Sequence, residues 1–226
     1  AARPKTLPAA IIPILLGSFL ANSLSYDLDL ILLISILLSA ICIQIATNFF
    51  NDALELNLTK IMWEGSESEI SLTTNAQPAL MACGVAAFRV LSKLKNKNVI
   101  ELANYACGHS LGEYTAMTVA EVFSLRKCAI LLKLRGKSMQ QAVPVGKGAM
   151  AALIGTNINK ILEIIEKVQV FGVCDIGNDN ADGQIVISGD LKAVEKAIEI
   201  SKNIGVKRAI LLPVSAPFHC RLMEPA

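Results

Sequence analysis

The first 52 residues contain two long apolar windows. No charged residue occurs between Lys5 and Asp27, and none occurs between Asp29 and Asp52. A membrane-spanning helix needs about 20 predominantly apolar residues, and both windows reach that length. Basic residues flank the pair of windows at both ends, so the pattern predicts two transmembrane helices with both ends in the cytoplasm. The alternative for each window is a helix buried in a protein core.

From about residue 54 onward, segments with helical spacing alternate with short apolar runs typical of strands. The predicted helices are 79–94, 111–120, 125–141, 158–168 and 191–204. The predicted strands are 100–107, 149–154, 170–175, 184–188 and 208–214, with a polar turn over 178–183. The last four strands and their helices follow βαββαβ order, which predicts a ferredoxin-like subdomain over residues 147–214.

Composition excludes some kinds of site. Hydrophobic residues make up 53 % of the 226 residues, charged residues 18 %, and the net charge is +2. This charge does not favour a nucleic-acid partner. Only two histidines and six cysteines occur, and no two cysteines form a Cys-x-x-Cys pair. A histidine-rich metal site is therefore excluded, and the cysteines are interpreted as reduced cytosolic thiols.

A candidate nucleophile stands in the Gly-x-Ser-x-Gly pattern formed by Gly108, Ser110 and Gly112. A serine at a sharp strand-to-helix turn exposes its hydroxyl, and flanking glycines let the two elements approach closely. The N-terminus of the following helix would offer N–H groups to a developing oxyanion. An ordinary glycine-rich turn is the alternative interpretation.

The candidate base is His219. A serine nucleophile needs a group that accepts its proton, and His109 adjoins Ser110, so its side chain should point in a different direction. His219 follows the predicted strand that ends at Val214, and sites in open α/β sheets assemble at strand ends. The alternative is a structural histidine in a proline-containing loop.

Arg135 is a candidate receptor for a carboxylate. It lies on the predicted helix 125–141, and a guanidinium can bind a carboxylate through two parallel hydrogen bonds. Such a contact would select an acyl group that ends in a carboxylate, such as malonyl. On the sequence alone, a solvated helix arginine is the favoured interpretation.

Residues from about 54 to 226 resemble the bacterial malonyl-CoA:acyl carrier protein transacylases. The resemblance rests on five motifs in the family's order: Thr-Asn-Ala-Gln-Pro-Ala-Leu (74–80), Gly-His-Ser-Leu-Gly-Glu-Tyr (108–114), Leu-Arg-Gly-Lys-Ser-Met-Gln (134–140), Gly-Gln-Ile-Val-Ile-Ser-Gly (183–189) and Pro-Val-Ser-Ala-Pro-Phe-His-Cys (213–220). It implies a hydrolase-like three-layer α/β domain over residues 53–226, with an inserted ferredoxin-like subdomain.

The same resemblance implies the chemistry. Ser110 would carry the malonyl ester, His219 would be the base, and Arg135 would hold the malonyl carboxylate. Three further substrate-binding positions are Gln77 in the acyl pocket, the amide of Leu111 as an oxyanion donor, and Met139. The expected partners are malonyl-CoA and acyl carrier protein, and no resident cofactor is expected.

Residues 1–52 resemble a different family, the dihydroxynaphthoate polyprenyltransferases of the UbiA superfamily. The shared motifs are Arg-Pro-Lys-Thr-Leu-Pro (3–8) and Gln-Ile-Ala-Thr-Asn-Phe-Phe-Asn-Asp (44–52), the second of which binds magnesium diphosphate in that family. The transacylases instead begin with a strand and a Gly-Gln-Gly-Ser-Gln loop, and they continue with a tail beyond the position of Ala226. The sequence therefore predicts a junction of two unrelated proteins.

This junction leaves alternatives for the function. The main expectation is a malonyltransferase of impaired activity in the cytoplasm, tethered to the inner membrane if residues 8–47 associate with it. The alternatives are a non-functional fusion, a fragment of a membrane polyprenyltransferase, and a non-catalytic module that binds acyl carrier protein.

Overall fold

The computed structural model describes residues 11, 14, 15, 18, 29–54 and 58–226. The chain divides into two compact units. The first unit comprises residues 1–66 and 75–133, and the second comprises residues 67–74 and 134–226. The helices that precede the first strand are α1 (Leu30–Leu54), α2 (Leu58–Glu64), α3 (Glu67–Ser71), α4 (Thr73–Lys95), α5 (Val99–Leu102), α6 (Leu111–Val119) and α7 (Leu125–Ala142).

The described part of the first unit is helical. Helix α4 begins six residues earlier than predicted, and Pro78 lies inside it. Its Gly84 packs against α6: a Cβ at this position would lie 2.8 Å from Cγ2 of Thr115. Absence of a side chain at Gly84 therefore allows the two helices to approach closely. Fully buried side chains of this unit include those of Leu58, Met81 and Leu132.

The predicted strand over 100–107 is wrong. Residues Val99–Leu102 form α5, which a reciprocal cap begins: the Asn98 side chain accepts a hydrogen bond from the Glu101 N–H at 3.1 Å, and the Glu101 carboxylate accepts one from the Asn98 N–H at 2.9 Å. This cap stabilises a helical turn. The residues that follow are irregular, and Tyr105 is 92 % exposed. In the described part of the first unit no strand forms.

The two predicted membrane spans are not supported. Among the described residues, no helix combines the length and the apolar character that crossing a membrane requires. The first window lies mostly outside the described residues, and the second forms α1. The side chains of Ala40 and Gln44 on α1 are buried, with Gln44 only 1 % exposed.

The second unit contains the predicted ferredoxin-like order. Its elements after α7 are β1 (Gly148–Ile154), α8 (Ile158–Val168), β2 (Cys174–Ala181), β3 (Gln184–Asp190), α9 (Leu191–Ser201) and β4 (Arg208–Leu211). The strands form one antiparallel sheet in the order β2-β3-β1-β4, which confirms the βαββαβ prediction. The core between the sheet and the two helices includes Leu153, Ile187, Ile161, Ile164 and Val194.

Strand β2 begins later than predicted. Residues Gln169–Phe171 form a 3-10 helix, and the strand extends through most of the segment that was predicted to be a turn. Ala181 pairs directly with Gln184, so the hairpin turn consists of Asp182 and Gly183 alone. Gly183 has a φ of +75°, and Asp-Gly is a favoured pair for such two-residue turns.

Replacing a buried residue of α8 should destabilise the second unit far more than replacing its exposed neighbour. Ile161 is fully buried in the core, whereas Leu162 is 52 % exposed. Because Ile161→Ala leaves a cavity, we expect it to lower the free energy of unfolding by about 2–5 kcal/mol. Leu162→Ala, the matched control, should change it by less than about 1 kcal/mol. Urea unfolding followed by circular dichroism measures both, and equal losses would contradict this account of the core.

Candidate active site

Ser110 lies in the sharp turn that the sequence predicts. Its φ and ψ are 54° and −113°, and it immediately precedes α6. A non-glycine residue with positive φ is strained, and such residues persist where the surrounding structure holds them, often at functional sites. The Ser110 side chain makes no capping hydrogen bond to α6. The turn therefore has the backbone geometry of a nucleophile elbow, although irregular chain leads into it in place of a strand.

The two glycines of the motif play different structural roles. A Cβ at Gly108 would lie 2.0 Å from the carbonyl atoms of Gly112 and 2.4 Å from the nitrogen of Glu113. These are backbone atoms, which cannot rotate away, so Gly108 is required for the turn to close. A Cβ at Gly112 would meet nothing within 4 Å. Only the first glycine is thus required by the packing of this turn.

Hydrogen bonds between backbone groups close the turn at the start of α6. The Gly112 N–H donates to the carbonyl of His109 at 2.8 Å, and the Glu113 N–H donates to the carbonyl of Ser110 at 3.2 Å. Leu111 is the first residue of α6. Its amide belongs to the first turn, where N–H groups have no acceptor within the helix. This position fits the predicted role of the Leu111 amide as an oxyanion donor.

A cavity of about 670 Å³ adjoins Ser110 within the first unit. Ser110 and His109 lie at its wall, and most of the rest is apolar, including Leu80, Phe88 and Val119. Gln77, one turn before Leu80 on α4, is buried. The candidate nucleophile therefore borders a space lined mainly by hydrocarbon.

His219 is exposed and also has a positive φ, of 60°. The residues just before it are anchored in the second unit. Pro217 packs against Gly148, where a Cβ would lie 2.3 Å from the proline Cγ. Phe218 packs against the face of the sheet formed by Met150, Ala152 and Val186. The chain is thus fixed immediately before the predicted base.

Ser215 attaches the same loop to Thr73 and Gln140, which both belong to the second unit. Its hydroxyl accepts a hydrogen bond from the N–H of Thr73 at 3.1 Å. Its carbonyl accepts one from the side-chain amide of Gln140 at 3.5 Å. Ser215 is buried, so these bonds satisfy polar groups that water cannot reach.

Ionic contacts anchor the loop after His219. Arg221 donates from its backbone N–H to the Asp175 carboxylate at 2.9 Å, and its guanidinium contacts both carboxylate oxygens. Hydrogen bonds from this guanidinium hold the pKa of Asp175 below its usual range. The carboxylate therefore stays ionised at neutral pH, which keeps the pair charged.

Cys220, which adjoins the candidate base, and Cys174 are buried thiols. The Cys220 thiol donates to the carbonyl of Pro217 at 3.1 Å. Burial raises the pKa of Cys220, and burial raises that of Cys174 to about 12. A thiol is nucleophilic only as the thiolate. Cys220 is consequently a poor candidate for a nucleophile, despite its place next to His219.

Arg135 is half-buried on α7, and Met139, one turn further on, is buried. Between them, Gly136 approaches another part of the second unit: a Cβ there would lie 3.0 Å from the Cα of Thr74. The partial burial of Arg135 distinguishes it from Arg126 on the same helix, which is exposed.

The predicted site residues are divided between the two units. Ser110, Leu111 and Gln77 belong to the first unit, and Arg135, Met139 and His219 belong to the second. The structure brings Ser110 and Leu111 together at the turn. Sequence reasoning missed the pair formed by Asp175 and Arg221. The only signal was a basic residue two positions after the candidate base.

Alanine at Gly108 should disrupt the turn that carries Ser110, whereas alanine at Gly112 should not. Because the Gly108 Cβ would collide with backbone atoms, we expect Gly108→Ala to cost about 1–3 kcal/mol of stability. Gly112→Ala is the matched control, and its Cβ meets open space. Thermal unfolding of both variants measures the difference. Destabilisation by Gly112→Ala alone would contradict this geometry.

Known proteins are similar to this chain in sequence and in fold. The family model for the acyl transferase domain matches residues 34–226. The chain is 42 % identical over 177 residues to the malonyl CoA-acyl carrier protein transacylase of Bacillus subtilis, covering 78 % of this chain and 54 % of that protein. The corresponding protein of Escherichia coli K12 is 42 % identical over 174 residues, covering 77 % and 55 %. The chain thus spans about half the length of the curated relatives it matches.

Comparison with solved structures shows similarity to the same kind of protein. The acyl-carrier-protein-S-malonyltransferase of Bartonella henselae superimposes with a TM-score of 0.74 at 48 % identity, covering 82 % of this chain and 59 % of that one. A malonyl-transacylase solved in complex with its type II PKS acyl-carrier protein superimposes with a TM-score of 0.69 at 37 % identity, covering 81 % and 58 %. The α/β fold and the sequence match together show that the chain belongs to the acyl transferase domain family.

Proposed function

We propose that this chain transfers a malonyl group from malonyl-CoA to acyl carrier protein through an ester on Ser110, in fatty-acid biosynthesis. The observation that carries the proposal is the strained backbone of Ser110, with φ at 54°, directly before the N-terminus of α6. Relatives named as malonyl CoA-acyl carrier protein transacylases support the substrate. The solved complex of a related enzyme with an acyl-carrier protein supports the partner.

In the first half-reaction His219 accepts the Ser110 proton as the serine oxygen attacks the thioester carbonyl. The Leu111 amide donates a hydrogen bond to the oxyanion that forms, because it belongs to the first turn of α6. The carbon–sulfur bond then breaks, and the coenzyme A sulfur takes the proton from His219. Malonyl remains on Ser110 as an ester, which is covalent catalysis in two steps.

The second half-reaction reverses these roles. The phosphopantetheine thiol of acyl carrier protein gives its proton to His219 and attacks the ester carbonyl. The carbon–oxygen bond breaks, and Ser110 recovers its proton from His219. The exposed position of His219 supports this step, since the imidazole must exchange protons with two successive thiols.

Selectivity for malonyl is assigned to Arg135. A guanidinium offers two parallel N–H groups to the free carboxylate of the malonyl group. The half-buried position of Arg135 supports this role, because burial strengthens an ionic contact relative to one in water. Gln77 and Met139, both buried, are proposed to line the acyl pocket.

The proposal does not extend to prenyl transfer. The resemblance of residues 1–52 to polyprenyltransferases, and with it a membrane tether, stays a prediction from the sequence. The acyl transferase match begins at residue 34, inside that segment. Helix α1 (Leu30–Leu54) spans the start of the match.

Incubation with malonyl-CoA should leave a malonyl group on Ser110. Peptide mass spectrometry of the full chain locates the adduct. Ser110→Ala should abolish it, whereas Ser92→Ala on α4 should not. His219→Ala should slow its formation by about 10²- to 10⁴-fold, because the general base is lost. A folded chain that acquires no adduct, or an adduct that survives Ser110→Ala, would overturn the proposal.

Removing the Arg135 guanidinium should remove the preference for malonyl over acetyl thioesters. We expect Arg135→Ala to reduce this ratio of acylation rates by about 10- to 100-fold, since a charge-assisted hydrogen bond contributes about 1.5–3 kcal/mol. Arg135→Lys should recover only part of the ratio, because an ammonium cannot make the two parallel bonds. Arg126→Ala, an exposed arginine on the same helix, is the control. An unchanged ratio in Arg135→Ala would exclude this role.

A further inference from the structure

His219 is an exposed residue between segments that are anchored on both sides. Before it, Ala216 and Pro217 are buried and Phe218 packs against one face of the sheet. After it, Cys220 is buried and Arg221 contacts Asp175. The loop is therefore held at two places, and His219 occupies the bend between them.

The second anchor contains several bonds to a single carboxylate. Asp175 Oδ2 accepts the backbone N–H of Arg221 at 2.9 Å and the Nε–H at 3.0 Å. Asp175 Oδ1 accepts from Nε at 3.1 Å and also from Nη2. Charge-assisted hydrogen bonds to both oxygens of a carboxylate fix its geometry as well as its position. Both the backbone and the side chain of Arg221 are thereby bound to the same carboxylate, that of Asp175.

The strand that carries Asp175 is itself held rigidly. Asp175 is the second residue of β2 and pairs with Ser188 of β3. Its neighbour Cys174 belongs to the hydrophobic core between the sheet and its helices. The carboxylate thus projects from a strand that the core holds in place, which makes it a fixed support for the loop.

The backbone of His219 requires such a support. Its φ of 60° lies in the left-handed region, which a histidine adopts at a cost that the surrounding structure must offset. The buried residues before it fix one end of the bend. Without the Asp175 contact, the segment after it could rotate, and His219 would relax toward negative φ, carrying its imidazole away.

We propose that Asp175, acting through Arg221, is a positioning residue that holds the His219 imidazole in the orientation for proton transfer. The proposal rests on the proposed acyl transfer, in which His219 is the base. Asp175 contacts neither substrate nor reacting atoms in this account, and its effect is transmitted through the backbone of residues 219–221.

Two readouts separate positioning from general stabilisation. The first is nuclear magnetic resonance of the histidine ring protons, which needs no activity. The chain has only two histidines, so His109→Gln assigns both signals. The second is the rate of Ser110 acylation at saturating malonyl-CoA, together with the concentration of malonyl-CoA at half-saturation.

We expect Asp175→Asn in the full chain to shift the His219 signals and their pH titration while those of His109 stay unchanged. Acylation at saturation should fall by about 10- to 100-fold, as expected for a displaced catalytic group, with half-saturation unaltered. Asp175→Glu, which keeps a carboxylate, should restore part of the rate. Asp179→Asn, an exposed aspartate on the same strand, is the matched control and should leave both readouts unchanged.

Unchanged His219 signals in a folded Asp175→Asn chain would overturn the proposal. If that variant fails to fold, as judged by circular dichroism, Arg221→Lys tests the same contact: it retains the backbone bond but loses the two-oxygen fork, and unchanged His219 signals there would overturn it equally. A wild-type chain that forms no acyl-serine would contradict the proposed function, while the His219 signals would still decide whether Asp175 positions the imidazole.

Discussion

Alternation of side chains along β1 is the constraint on which the second unit depends. Ala149, Ala151 and Leu153 face the helices α8 and α9, whereas Met150 and Ala152 belong to the opposite face. Successive residues of a strand point to opposite sides of the sheet, so one strand supports two packed layers. The first layer is the core of the ferredoxin-like subdomain. Leu212, Val214 and Phe218 pack against this second layer. Their packing thereby fixes the position of the chain just before His219.

Both proposed catalytic residues occupy strained backbone positions, and different contacts hold each one. At Ser110, the chain folds so tightly that Gly108 contacts the backbone of Gly112 and Glu113. Only a residue without Cβ allows this approach. At His219, the strained backbone is stabilised by side-chain contacts on both sides of the bend. Phe218 packs in an apolar layer before it, and Arg221 forms an ion pair with Asp175 after it. A steric requirement fixes the nucleophile, and a combination of burial and charge fixes the base.

Elements that depend on local pattern could be predicted from the sequence. Helix α8 matches its predicted bounds, and the Asp182–Gly183 pair marks the hairpin, because amphipathic spacing and turn chemistry act over a few residues. Predictions failed where a local signal competed with an apolar run. The Asn98 cap began a helix within the predicted strand 100–107. The contact between Asp175 and Arg221 joins residues 46 positions apart, and the basic residue near the candidate base does not indicate which carboxylate it contacts.

The second glycine of the Gly-x-Ser-x-Gly motif, Gly112, is not required for the folding of the first unit. The space where its Cβ would stand is open, so the packing of the turn does not explain a glycine there. It lies in the first turn of α6 and at the wall of the cavity beside Ser110. A glycine in such a place lets a ligand approach the backbone closely. Gly108 therefore serves the shape of the turn, whereas in the proposed acyl transfer Gly112 would keep clear the space beside the helix N-terminus where the oxyanion forms.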